Sequence, residues 1–80
     1  MNYSLVMNRQ EEKITLRHQY GVVASFRFEM EIFQGREVFK LTSSDGSFVR
    51  YPDLFAVIKR FELRYPMIPK GSLEIVESTA

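Results

Sequence analysis

The chain has no cysteine among its 80 residues, which removes both a disulfide framework and a thiolate metal site. It has one histidine, so no pair of imidazoles stands at ligand spacing and no metal centre is expected. No apolar run approaches the roughly 20 residues needed to span a bilayer. The opening Met1-Asn2-Tyr3-Ser4-Leu5-Val6 lacks the basic region and long apolar stretch of a signal peptide. The expectation is a cytoplasmic protein with neither membrane nor metal among its partners. Excess charge is missing as well: eleven basic against ten acidic side chains leave +1, so the sum of charge points neither to a nucleic-acid binder nor to an acidic mimic. Three prolines and four glycines occur singly between short periodic segments, which leaves no linker, repeat or low-complexity tract.

What is present is aromatic. Seven Phe and four Tyr, within a composition that is 45% hydrophobic, describe a folded chain rather than a disordered one. A chain this short buries only about 60% of its unfolded surface and holds one core, so residues 1–80 form a single domain.

From residue 22 to 33 every even position is apolar: Val22, Ala24, Phe26, Phe28, Met30 and Ile32. Polar Ser25, Arg27, Glu29 and Glu31 alternate with them. Period two is that of a strand with one dry face. A two-residue turn at Gln34-Gly35 then sets Met30 opposite Phe39 and Phe28 opposite Leu41. At Ser44-Asp45-Gly46, a three-residue turn with Gly46 in the left-handed region pairs Leu41 with Val49 and Phe39 with Tyr51, whereas a two-residue turn would set Leu41 against Arg50. The same reasoning at Gln19-Tyr20-Gly21 pairs His18 with Val22, Leu16 with Ala24 and Ile14 with Phe26. Residues 3–7 form a further candidate strand.

The period changes after Tyr51. Leu54, Val57, Ile58, Phe61 and Tyr65 fall on one helical stripe, Asp53 is placed to cap its start, and Pro66 ends it. This predicts a helix over about 53–64, followed by a Pro69-Lys70-Gly71 turn and a short strand over 73–76. The expected fold is α+β, an antiparallel meander sheet of four to six strands with the helix packed on one face, in the order βββββαβ.

Two surfaces follow from that register. The helix should leave Phe55 and Leu63 outside its core stripe beside Lys59, and Met67 and Ile68 follow the helix, so these five residues form a candidate protein interface for a partner or a second copy. The opposite sheet face carries Lys13, Arg17, Arg27, Lys40 and Arg50 with Phe48, against Glu29 and Glu31. Lys13 opposes Arg27 and Lys40 opposes Arg50, with Glu29 the expected neutraliser of Lys40. That is the pattern of a sheet that binds single-stranded nucleic acid by stacking bases on aromatics between cations.

Chemistry has little foothold. His18, on the inward face of its strand near the Gln19-Tyr20-Gly21 turn, reads as a rim or core residue with one satisfied hydrogen bond rather than a catalyst. Glu29 and Glu31 stand about 7 Å apart on a strand, a spacing that paired acid and base groups use, but on an open sheet they serve surface ion pairs. The Ser43-Ser44-Asp45-Gly46-Ser47 run lacks both the lysine of a phosphate-binding loop and a base for its serines, and is a turn. The expectation is a non-enzymatic binding module without a cofactor, acting through protein contacts or self-association, with single-stranded nucleic acid as the alternative ligand.

Overall fold

A computed structural model describes residues 3–78. The elements are β1 (Tyr3–Asn8), β2 (Lys13–His18), β3 (Gly21–Phe33), β4 (Arg36–Thr42), β5 (Phe48–Tyr51), α1 (Leu54–Arg64) and β6 (Glu74–Glu77). They build an α+β fold in the expected order, one six-stranded sheet arranged β5-β4-β3-β2-β1-β6. The meander is antiparallel through its first five strands, but β6 runs parallel to β1. Parallel neighbours need a crossover, and α1 with the residues after it carries the chain from the β5 edge to the β1 edge.

Local chemistry accounts for most boundaries. Gln34 and Gly35 both take positive φ, at 52° and 78°, the geometry of a two-residue hairpin turn that matches strand twist. Met30 accordingly faces Phe39 and Phe28 faces Leu41. At the next turn Gly46 has φ of 90°, Leu41 faces Val49 and Phe39 faces Tyr51, as a three-residue turn requires. Asp53 caps α1, its Oδ1 accepting the Ala56 N–H at 2.8 Å. The helix begins at Leu54 rather than 53 because the cap itself is extended. Tyr65, forced out of helical geometry by Pro66, ends it.

The β2–β3 turn departs from expectation. His18 lies opposite Gly21 rather than Val22, and Arg17 opposite Val22, while Leu16 still faces Ala24 and Ile14 faces Phe26. The turn is therefore the two residues Gln19-Tyr20, and the additional residue is absorbed as a bulge at Val23. The bulge transfers Val22 to the level and face of Arg17, where it is exposed.

Leu5, Met7, Ile14, Leu16, Phe26, Phe28 and Leu41 from the sheet close on Val57 and Phe61 of α1, with Ile68 and Leu73 from the crossover. Phe26 and Phe61 meet edge-on at 5.3 Å, and Phe28 stacks on Phe39 at 5.5 Å. Ile68 was expected at a protein interface; at 2% exposure it is core instead. The chain after Pro66 turns back under the helix, its Ile68 N–H bonded to the Tyr65 carbonyl at 3.0 Å, so this side chain is used up by the fold itself.

The dry face is shorter than its alternation implies. Phe26 and Phe28 are buried, yet Met30 is 44% and Ile32 72% exposed. The cause is length: thirteen residues of β3 extend at most about 40 Å, whereas eleven residues of α1 extend about 16 Å. One helix cannot roof the whole strand. β3 is a shared spine, with β2 paired to Gly21–Arg27 and β4 to Arg27–Phe33. The covered stretch is Ala24 to Phe28, packed in one cluster with Val57 and Phe61, and the tip of the β3–β4 hairpin stands clear of it.

Candidate functional site

The hairpin tip has an open edge whose geometry follows from the register. In an antiparallel pair, residues alternate between bonding the partner and pointing their N–H and C=O the other way. Phe33 and Arg36 close the two-residue turn, so Phe33, Glu31, Glu29 and Arg27 bond to β4. Phe28, Met30 and Ile32 turn their backbone groups outward. The Phe28 N–H does so and finds the Glu12 carbonyl at 2.8 Å. Glu12, itself at φ of 55°, is the last residue of the β1–β2 loop on that edge, and β2 has already ended its ladder at Lys13 opposite Arg27. Beyond it Met30 and Ile32 direct donors and acceptors toward a side on which, among the described residues, no strand lies. Arg9 closes the near end, donating from Nε to Glu77 Oε1 at 2.6 Å and placing Nη1 3.4 Å from Met30 Sδ. Arg9, Glu12, Phe28, Glu29 and Met30 line a concavity of about 320 Å³ there.

The opposite, helix-free face of the same hairpin carries an aromatic and charged cluster. Arg50 donates from Nε to Glu31 Oε1, and its guanidinium lies 4.4 Å from the centre of the Phe33 ring and 5.0 Å from that of Phe48. The Lys40 ammonium stands 4.3 Å from the Phe48 centroid. Register puts Val38 opposite Glu31 and diagonal to Phe33, and although it lies on the helix-free face it is only 9% exposed. Glu29 pairs with Arg27 at 3.4 Å rather than with Lys40, because Lys40 is drawn to the ring. Cation–π contacts of this exposed kind are worth about 0.5–1 kcal/mol each. Together they hold the side chains down on the sheet.

This bears on the residues singled out for nucleic acid. Lys13, Arg17, Arg27, Lys40, Phe48 and Arg50 do share one face, and Lys13 opposes Arg27 as Lys40 opposes Arg50. Yet Phe48 is already engaged by two cations, Arg50 is paired to Glu31, and Arg27 to Glu29. A base that stacked on Phe48 would have to displace one of its cations. At the other end of the face, Lys13, Arg27, Ser25, Thr42, Ser43 and Ser44 line an open concavity of about 490 Å³, together with Glu11 and Glu12.

Of the residues assigned to a protein interface, Phe55, Leu63 and Met67 are exposed, at 65%, 69% and 53%. The Lys59 ammonium lies 5.2 Å from the Phe55 ring centre. Phe55 and Lys59 line a groove of about 290 Å³ with Ile58, Glu62, Lys70, Gly71 and Leu73, pinned by the Gly71 N–H bonded to Glu62 Oε2 at 2.8 Å. Leu63 and Met67 are not part of that groove. The residues missed from sequence are Met30 and Ile32, which the alternation assigned to the core. The signal that could have identified them was the ratio of strand to helix length.

His18 is a rim residue. Its ring lies 4.7 Å from that of Tyr3 and 5.2 Å from that of Tyr20, and its Nδ1 accepts the Tyr20 N–H at 3.4 Å. The surroundings of Asp45 displace its titration. The Ser47 hydroxyl, at 2.6 Å, and the Ser47 N–H, at 3.0 Å, both donate to Oδ1 and hold the carboxyl below its ordinary 3.8. No group of three or more potential metal ligands occurs among the described residues, and no helix there is long and apolar enough to cross a membrane. No protein-family model, curated protein or solved structure matches the chain.

Proposed function

We propose that the protein is a non-enzymatic binding module that engages a protein strand through the outer half of β3. The observation that carries this reading is the coincidence, at Met30 and Ile32, of uncovered apolar side chains with outward-pointing backbone groups. An exposed edge of this kind is the template to which extended segments add. Backbone bonds supply attachment, and pockets for alternate side chains supply selectivity. The groove beside Phe55 and Lys59 is a second surface of the same general character, without free strand edges.

The reading is tested by panning a displayed library of twelve-residue peptides on the wild-type protein and on the Met30→Lys/Ile32→Lys double variant. The expected result is enrichment of extended sequences, apolar at every second position, that bind the wild type and not the variant. No enrichment, or equal binding to both proteins, would contradict it.

A second reading has one specific observation behind it. The Lys13–Arg27 concavity, with the hydroxyls of Ser25, Thr42, Ser43 and Ser44 around it, supports phosphodiester binding by the open face. Such binding weakens steeply with salt and is lost in Arg27→Glu. An unlabelled oligonucleotide titrated at low and high salt distinguishes it from strand addition, which is insensitive to Arg27.

A further inference from the structure

The open edge has a length and an apolar pattern that a second copy of the same edge can match. It is bounded at one end by Phe28, already bonded to Glu12, and at the other by the Gln34-Gly35 turn. The free window is therefore residues 29–33, and its midpoint is Glu31. An antiparallel strand of the same five residues fits that window without overhang, because position 29 then meets 33 and position 30 meets 32. We infer that this edge pairs with its own counterpart in a second copy of the chain. The inference rests on the strand-binding reading above and names its partner.

The register is decided by two independent features. Outward-pointing residues must face outward-pointing residues, and Met30 opposite Ile32 of the second copy, with Ile32 opposite its Met30, satisfies this with four N–H···O=C bonds. The same register sets apolar against apolar on the helix side, where Ile32 is 72% and Met30 44% exposed, the latter touched at its sulfur by Arg9 Nη1 at 3.4 Å. Moving the centre one step toward Phe28 would bring the incoming strand into the position held by Glu12. The two-fold axis passes through Glu31 at right angles to the sheet, an isologous contact. The two sheets become one, and four apolar side chains floor the valley between the two helices.

The Glu31 carboxylates meet across the axis on the open face, and like charges directly opposite are unfavourable. Arg50 answers this within each copy, since it is bound to Glu31 and held over the Phe33 ring. Across the axis the charges run positive, negative, negative, positive. Arg50 is thereby a residue on which association depends without itself crossing the contact. The outer edges of β5 and β6 are four residues each, and β6 carries Glu74 and Glu77, so both are less suited to pairing.

The test is sedimentation equilibrium from 1 μM to 1 mM, about the working range for weak dimers, on the wild type, Ile32→Lys, Arg50→Ala and Leu63→Lys. Twice the 9.4 kDa chain mass is expected for the wild type at the upper end. Ile32→Lys and Arg50→Ala should each raise the dissociation constant by about tenfold or more, and Leu63→Lys should leave it unchanged. In a dimer of mixed labelled and unlabelled chains, the Met30 methyl should show an intermolecular NOE to Ile32. A monomer throughout, or a dimer indifferent to Ile32→Lys, would overturn the pairing. If the wild type is monomeric while panned peptides still require Met30 and Ile32, the second copy is refuted and strand binding survives. If both fail, so does the use of the edge.

Discussion

Ile14 and Ile32 occupy neighbouring strands on the helix-facing side of one sheet, and the fold treats them oppositely. Ile14 is fully buried among Leu5, Leu16, Phe26 and the helix residues, whereas Ile32 is 72% exposed at the hairpin tip. Truncation to alanine removes the same atoms from both. At Ile14 it forfeits the transfer term and opens a cavity, for a cost of about 2–5 kcal/mol. At Ile32 there is little burial to lose, so the cost in the monomer lies within about 0.5 kcal/mol. A domain of this size has roughly 4–12 kcal/mol in total, so Ile14→Ala lowers the urea midpoint by a large fraction of its value. Ile14→Val, costing about 0.5–1.5 kcal/mol, is the measurable substitute if the alanine variant is unfolded. The assay is urea denaturation at 1–2 μM, roughly the low end of the association range, with the slope m checked for constancy. Equal losses at both positions would refute the claim that the core covers only part of β3. At high protein concentration Ile32→Ala should acquire a cost that it lacks when dilute, because association then contributes to stability.

The helix cap gives a second expectation: Asp53→Ala removes the acceptor of the Ala56 N–H and should cost about 1 kcal/mol, read as a fall of about 4–8 °C in Tm. Gly46→Ala finds open space for its methyl group, but φ of 90° strains any L side chain; a loss of about 1 kcal/mol is expected, and no loss would mean that the turn relaxes. Because the Ser47 hydroxyl and N–H hold the folded Asp45 carboxyl below 3.8, folding favours its ionised form. Its contribution is complete above that value and is lost as pH falls through the lower, folded pKa. An NMR titration should place the Asp45 midpoint below 3.8 and move it upward in Ser47→Ala; a wild-type midpoint at or above the ordinary value would contradict the turn geometry.

The register of β3, β4 and β5 was legible because each turn has chemistry that admits few alternatives. Gly35 and Gly46 supply the positive φ, and only one loop length at each site keeps apolar residues on one face. The α1 stripe was legible for a similar reason, with Asp53 and Pro66 marking its ends. Gln19-Tyr20-Gly21 lacked such discrimination, since a three-residue turn and a two-residue turn with a bulge both return Leu16 to Ala24; the structure takes the second, and Val22 changes face. Ile68 was misplaced because a residue beyond a helix carries no periodicity to assign it. Met30 and Ile32 were assigned inward because alternation reports which face a residue takes and says nothing of whether anything covers that face. The direction of β6 required the path of the crossover, which local pattern does not contain. On the open face, composition showed five cations and two carboxylates but not which were engaged, and the placement of Lys40 and Arg50 on the Phe48 ring depends on long side chains folding back.

Amide hydrogen exchange resolved residue by residue along β3 addresses the open edge most directly. In dilute solution the Phe26 and Phe28 amides should be protected, the latter by Glu12, while those of Met30 and Ile32 exchange at rates near those of unstructured backbone. At millimolar concentration the same two amides should become protected. Protection of Met30 and Ile32 at every concentration would show that the edge is already covered within one chain, and fast exchange of both at every concentration would show that no second copy binds there.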